Sequence, residues 1–391
     1  MNLQDIYIID AKRSAIGKFN GALSSISAVT LGTTIIKSLI LPHKISNISQ
    51  VIMGQVLTGG VGQNPARQAS ILAGIDHVVP AWTLNQVCGS GLRSVIEGAK
   101  SITLNDSDIV IAGGQENMSA SGHIINLRQL PKMGDNKLID TMIIDGLTDA
   151  FHNYHMGITA ENVAKQYNIS REDQDEFAYH SQHKAFQAQQ SGKFNSQIVD
   201  INITQKKETI IFNKDESIRS DCSIEALSKL APAFDKNGTV TAGNASGIND
   251  GAAAVLLMSG DKMRELGLKP MARIKSWASI GVDPQVMGLG PIPTIKKALK
   301  LAGWNQEDLD LIESNEAFAA QALAVIRDLD LDTNKLNVNG GAIALGHPIG
   351  ASGARVLVTL LHEMVARNAK KGLAALCIGG GMGIAVCIER E

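Results

Sequence analysis

Long apolar runs are missing from this sequence: none approaches the roughly 18 residues needed to span a bilayer. The opening, Met1 to Asp10, lacks the basic start and apolar stretch of a signal peptide and alternates at once, so it reads as a first strand. The closing Ile388-Glu-Arg-Glu391 matches no recognised peroxisomal or retention tail, and a cytoplasmic location is the expectation. Charge of one sign is not in excess either. Lys and Arg number 36 against 38 Asp and Glu, a formal net charge of -2, so no global field recruits nucleic acid or an anionic membrane. A negatively charged ligand then has to be met by a local basic patch. Cysteine is scarce. Cys88, Cys222, Cys377 and Cys387 lie too far apart for zinc-ligand spacing, no metal or resident cofactor is expected, and a cytosolic chain of this size needs no disulfides.

What is present points to a packed α/β protein. At 391 residues, 44% hydrophobic and 19% charged, the chain is long enough for two or three packed units. Its 38 glycines cluster at strand-to-helix junctions: Gly59, Gly60 and Gly62; Cys88-Gly-Ser-Gly91; Gly113 and Gly114; Gly340 and Gly341; Gly346-His-Pro-Ile-Gly350; Gly379-Gly-Gly381. Strand-like Ile109 to Ala112 and Leu373 to Leu376 alternate with helix-like Leu92 to Ile102 and Ala354 to Met364, which predicts α/β layering. The two ends share one pattern: a glycine-containing loop with a reactive residue, a helix, then an apolar strand ending in glycines. Two similar halves facing each other bring both loops to one site. Between them, residues 118–249 differ in texture, with a helical pair from Ala160 to Gln190 capped at Ser170 and a polar segment from Gln205 to Ser220. This stretch reads as an inserted lid or substrate-binding unit; a plain surface excursion is the alternative.

Cys88 follows the strand-like Trp82 to Val87 and precedes a helix expected to start at Gly89 or Ser90. Backbone N–H groups and the helix dipole there stabilise thiolate over thiol, so a lowered pKa and a nucleophilic role are predicted. A small buried hydrophobe is the competing reading. Five glycines surround His347 in Asn337 to Gly353. Such bare backbone suits close approach of a ligand to an imidazole serving as general base. Cys377 ends an apolar strand and opens Ile378-Gly-Gly-Gly-Met-Gly383, whose amides can form an oxyanion hole. Asn315 lies at another strand end, able to hold a water or a carbonyl, or to cap a helix. Cys387 reads as core packing and Cys222 as an incidental exposed thiol.

Leu84-Asn-Gln-Val-Cys-Gly-Ser-Gly-Leu92, Asn315-Glu-Ala-Phe318, Gly346-His-Pro-Ile-Gly350 and Cys377-Ile-Gly-Gly-Gly-Met-Gly383, in that order, resemble the thiolase family. Asn244 to Gly251 and Val282 to Pro291 extend the resemblance over essentially the whole chain. Tyr154-His-Met-Gly157 and Cys88-Gly-Ser-Gly91 make it most similar to the short-chain, biosynthetic type.

The resemblance implies an α/β, thiolase-like fold: two similar αβαβα halves forming a five-layered core, with an inserted loop domain. Residues 1–117, completed by 250–268, would form the N-terminal half, 118–249 a loop domain binding coenzyme A, and 269–391 the C-terminal half. It also implies a ping-pong Claisen condensation of two acetyl-CoA to acetoacetyl-CoA, with coenzyme A as substrate and product. Cys88 would be the nucleophile, activated by His347. The Cys88 and Gly379 amides would hold the thioester oxygen, Cys377 would take the α-proton, and Asn315 would hold a water at the enolate. For coenzyme A it points to Arg219 at the adenine and phosphate end. Leu147, His155, Met156, Ser246, Ala317 and Phe318 would line the pantetheine and acyl pocket, and Phe234 and Met287 would limit acyl length. Ala231 departs from the Lys or Arg of many relatives. A homotetramer is implied. The alternatives are a degradative 3-ketoacyl-CoA thiolase and, from another class, a non-catalytic acyl-CoA carrier.

Overall fold

Runs of β-branched and small apolar residues build the nine strands that form the main path of an eleven-stranded sheet in the computed structural model, which describes residues 4–129, 132–205 and 208–391. They are β1 (Ile6–Ser14), β2 (Gln50–Gly54), β3 (Ala81–Leu84), β4 (Ile109–Asn117), β5 (Asn249–Ser259), β6 (Ala272–Gly281), β7 (Leu311–Ser314), β8 (Lys371–Ile378) and β9 (Met382–Glu389). Met1 to Leu3, the head of the expected first strand, and Lys206 and Lys207, in the polar segment of the insertion, lie outside the described residues.

The sheet order is β7-β8-β9-β6-β1-β5-β4-β2-β3. β1 is the seam, antiparallel to β5 along most of its length and to β6 at Tyr7↔Arg273 and Ile8↔Ala272. Each side ends in a parallel pairing, β2 with β3 on one and β7 with β8 on the other, which is the repeated pattern expected of two similar halves. Strands covered on both faces need no polar alternation, and every residue of β4 and β5 is buried.

The longer helices among the described residues are α1 (Ala28–Ile40), α2 (Ser90–Thr103), α3 (Met156–Gln166), α4 (Arg171–Gln190), α5 (Pro291–Ala302), α6 (Ala319–Leu329) and α7 (Ser352–Arg367). α1 covers the outer side of β4 and β5, α5 that of β6 and β9, and α2 and α7 pack on each other between the halves. The result is the expected α-β-α-β-α stacking. α7 is buried all round from Ser352 to Leu361, as its nearly unbroken apolar composition requires. Small residues let the two central helices touch: a Cβ on Gly91 would stand 2.7 Å from the Ala354 nitrogen, and one on Gly353 2.3 Å from the Leu92 nitrogen. Their N-terminal ends, one following Cys88 and the other His347, are thereby held backbone to backbone.

Between β4 and β5 the chain forms α3 and α4. α4 starts at the expected Ser170 cap, with a full capping box to Asp173. α3 starts earlier than its periodicity suggests, because His155 Nδ1 accepts the Gly157 N–H at 3.0 Å and caps it. Among the described residues no helix is long and apolar enough to cross a membrane.

Candidate active site

Cys88 sits on the turn from β3 into α2. Val87 adopts a left-handed φ of 47°, a strained state for a β-branched residue held by its surroundings. Ser90 Oγ accepts the Gln86 N–H at 2.8 Å and donates to the Val87 carbonyl at 2.7 Å, locking a sharp elbow. The elbow aims the Cys88 sulfur at two backbone N–H groups, its own and that of Gly379. Those two donors were expected to lower the thiol pKa. Burial outweighs them, and the thiol is pushed up to about 11, with Glu116 adding like charge. Although Cys88 as a whole is half-buried, its sulfur is desolvated, so at neutral pH it is a thiol.

His347 is held by its backbone and its ring. Its N–H donates to Asn249 Oδ1 at 2.9 Å, and Ile248 and His347 form a bridge. Nδ1 lies 2.5 Å from Ser352 Oγ, whose own hydrogen goes to the Pro348 carbonyl at 2.9 Å. A hydroxyl that has spent its proton can only accept, so Nδ1 carries the ring hydrogen and Nε2 presents its lone pair. Burial, then the Arg355 charge, pull the imidazole pKa down to about 3. A neutral imidazole and a neutral thiol thus line one cavity.

The same loop is tied to the other half by Glu116, whose carboxyl accepts the N–H groups of Val56 (3.0 Å), Leu57 (3.2 Å) and Gly350 (2.9 Å). Burial raises Glu116 to about 7 despite these donors.

Cys377 is fully buried near the end of β8, opposite Gly383 of β9. Gly380 and Gly381, both at φ +83°, make the turn that follows, a conformation open to glycine. Burial and, next, the Cys88 charge hold the Cys377 thiol well above the usual range, which places the two sulfurs in one electrostatic neighbourhood. Asn315 follows β7, its N–H on the Ala375 carbonyl at 2.9 Å. It caps no helix, since Phe318 occupies that position for α6.

Cys88, His347 and Gly379 open onto a cavity of about 320 Å³. Leu147, His155, Met156, Phe234, Ser246, Met287, Ala317 and Phe318, all expected from the sequence, line it too. Cys377 packs in the apolar cluster of Met156, Ala245, Met287, Ala317 and Phe318 behind that lining. Arg219 is not brought to it. Its side chain is exposed, its N–H donates to Gln182 Oε1 at 2.9 Å, and the lining holds neither Lys nor Arg. The basic patch expected for an anionic ligand is therefore not part of this chamber's lining. Cys222, expected exposed, is half-buried against the Leu227 cluster, and Cys387 is core.

Sequence reading missed Ser352, Asn249 and Glu116. Ser352 lies inside the glycine-rich His347 segment and Asn249 inside Asn244 to Gly251, but neither type nor spacing marks them as supports of an imidazole.

Residues 6–261 match the model of the thiolase N-terminal domain and 268–390 that of the thiolase C-terminal domain. The acetyl-CoA acetyltransferase of Cupriavidus necator is 59% identical over 393 residues, with 100% of both chains covered, and that of Pseudomonas aeruginosa is 56% identical with the same coverage. The crystal structure of the Bacillus anthracis acetyl-CoA acetyltransferase matches with a TM-score of 0.97 at 43% identity, covering 100% of each chain. Human mitochondrial 3-ketoacyl-CoA thiolase matches as well, at 0.97 and 41%, again over 100% of each chain. Matched in both halves and along its whole length, this chain belongs to the thiolase family.

Proposed function

We propose that the chain is an acetyl-CoA C-acetyltransferase, condensing two acetyl-CoA reversibly to acetoacetyl-CoA and coenzyme A. The observation that carries this reading is the meeting of Cys88, the bare Nε2 of His347 and the Gly379 N–H at one apolar cavity, with Cys377 behind its wall. Nε2 takes the Cys88 proton as sulfur attacks the thioester carbon. The oxyanion faces the Cys88 and Gly379 amides. Collapse releases coenzyme A thiolate, which recovers the proton from His347 and leaves S-acetyl-Cys88. Cys377 then gives its proton to His347 and, as thiolate, takes an α-proton from a second acetyl-CoA, while the enolate meets the protonated His347 and a water held by Asn315. The enolate carbon attacks the acetyl-Cys88 carbonyl, acetoacetyl-CoA leaves, the freed Cys88 sulfur takes the proton back from His347, and all three groups return to their starting state.

Relatives named acetyl-CoA acetyltransferase reach 59% identity, against 41% for the 3-ketoacyl-CoA thiolase, and this favours the short-chain substrate. The fold match is equal for both types, so substrate length is the test. Thiolysis of acetoacetyl-CoA and 3-ketohexadecanoyl-CoA should be measured side by side; much faster cleavage of the longer one would overturn the assignment. Arg219, outside the chamber, is assigned to the adenine and phosphate end of coenzyme A. A cytoplasmic homotetramer completes the reading, supported by exposed Ile124, Leu127, Ile139, Ile143, Ile144 and Phe151 in the insertion, an apolar patch of the kind that subunits cover.

A further inference from the structure

Arg355 lies on α7 one turn beyond Ser352, at i, i+3 spacing, which sets both side chains toward one side of the helix. Ser352 holds the His347 ring, and Arg355 Nη2 donates to Asn315 Oδ1 at 3.3 Å. This is the one hydrogen bond the guanidinium makes among the described residues; its Nε and Nη1 find no partner there. Glu313 and Glu316 act on it through their charge, but Glu316 oxygens already accept from Ser181 (2.6 Å), Asn337 (2.9 Å) and the Ile343 N–H (3.3 Å).

A guanidinium can only donate, so the Asn315 oxygen must face it and the amide nitrogen must face away. That nitrogen is buried with no partner among the described residues, and so is His347 Nε2. Two buried nitrogens left open are costly unless the reaction uses them.

We propose that Arg355 is a positioning residue for the enolate-forming half-reaction: by gripping Asn315 through its oxygen, it presents the amide N–H₂ beside His347 Nε2, where the developing oxyanion and its water need donors. The proposal rests on the acyltransferase reading above. It separates the half-reactions, since Asn315 serves the enolate and has no part in acetyl transfer to Cys88.

The test compares Arg355→Gln, Arg355→Lys, Asn315→Ala and the Arg355→Gln/Asn315→Ala double variant with wild type. Acetyl loading of Cys88 is timed by mass spectrometry, and α-proton exchange of acetyl-CoA is followed in heavy water. Expected for Arg355→Gln is loading within about twofold of wild type and exchange slowed about 10²-fold, the scale of losing one oxyanion donor. Arg355→Lys should recover part of the exchange, and the double variant should be no slower than Asn315→Ala alone. If Arg355→Gln does not fold, Arg355→Lys with and without Asn315→Ala carries the same comparison. Equal loss of loading and exchange, or losses that multiply in the double variant, would overturn the proposal by making Arg355 merely structural. Wild-type protein that takes no acetyl group on Cys88 would instead overturn the acyltransferase reading, and this proposal with it.

Discussion

His347 Nδ1 and Ser352 Oγ stand 2.5 Å apart, and this contact decides which ring nitrogen is free. Because Ser352 already donates to Pro348, it fixes the tautomer in which Nε2 accepts. Ser352→Ala leaves the Nδ1 hydrogen without its acceptor and the ring without its tautomer lock. Acetylation of Cys88 is expected to slow about tenfold to a hundredfold, part of the 10²–10⁴ that a positioned base contributes, with folding intact. Ser352→Thr should restore most of the rate. Single-turnover acetylation with acetyl-CoA measures both.

The two cysteines are assigned different half-reactions, and that division can be checked directly. Cys377→Ser should still acetylate at Cys88 yet lose condensation by at least about 10²-fold, while Cys88→Ala should lose both. Mass spectrometry of the acetyl adduct beside the condensation rate distinguishes the outcomes. Equal loss of acetylation in the two variants would contradict the assignment.

Thiol ionisation gives a pH signature. The Cys88 thiol is raised to about 11, so below that value thiolate grows about tenfold per pH unit. Iodoacetamide labelling of Cys88 in substrate-free protein is expected to climb steadily from about pH 7 to 10. A nucleophile with a lowered pKa would already be near its plateau at neutrality. Peptide-resolved labelling rates at several pH values settle the point, and a flat profile would show that the N–H donors win over burial after all.

The chemistry of the site was legible where residue type and chain position coincide. Cys88, His347, Cys377 and Asn315 all fall at strand ends or glycine-rich turns, places that α/β proteins use for function. The supports were not legible. Glu116 works by reaching three backbone amides across elements, and which amides it meets follows from pairings such as Gly251↔Glu116 between distant strands. Asn249 and Ser352 likewise gain meaning only once the His347 loop is folded over them. The direction of the Cys88 shift failed for a related reason. N–H donors can be guessed from a helix start, whereas desolvation depends on the closure of the whole cavity.

Gly91 and Gly353 lead to a prediction about coupling between the halves. A Cβ on Gly353 would lie 2.3 Å from the Leu92 nitrogen, a backbone atom that cannot swing aside. Gly353→Ala is expected to cost at least about 1–3 kcal/mol, the range for overpacked cores, and to move α2 away from α7. Because those helix ends carry Cys88 and His347, acetylation should fall further than the loss of folded protein explains. Denaturant titration combined with active-site acetylation per folded molecule tests this.

One ring of the cavity lining is held on several sides. Phe234 stacks on His155 with centroids 4.5 Å apart at 19°, meets Phe318 edge-on at 6.2 Å, and would lie 2.2 Å from a Cβ on Gly157. Gripped on these sides, the ring cannot yield to a longer chain. Phe234→Leu keeps an apolar wall while freeing space for extra methylenes, each worth about 0.8 kcal/mol when buried. For a 3-ketoacyl-CoA longer by two methylenes than acetoacetyl-CoA, the ratio of kcat/KM values in thiolysis should rise about tenfold, since one methylene in a pocket discriminates by 10-fold or more. The gain should lie in the longer substrate, with acetoacetyl-CoA cleavage little changed. A variant that slows both substrates alike would mean that Phe234 orders the coenzyme A arm and leaves acyl length to Met287.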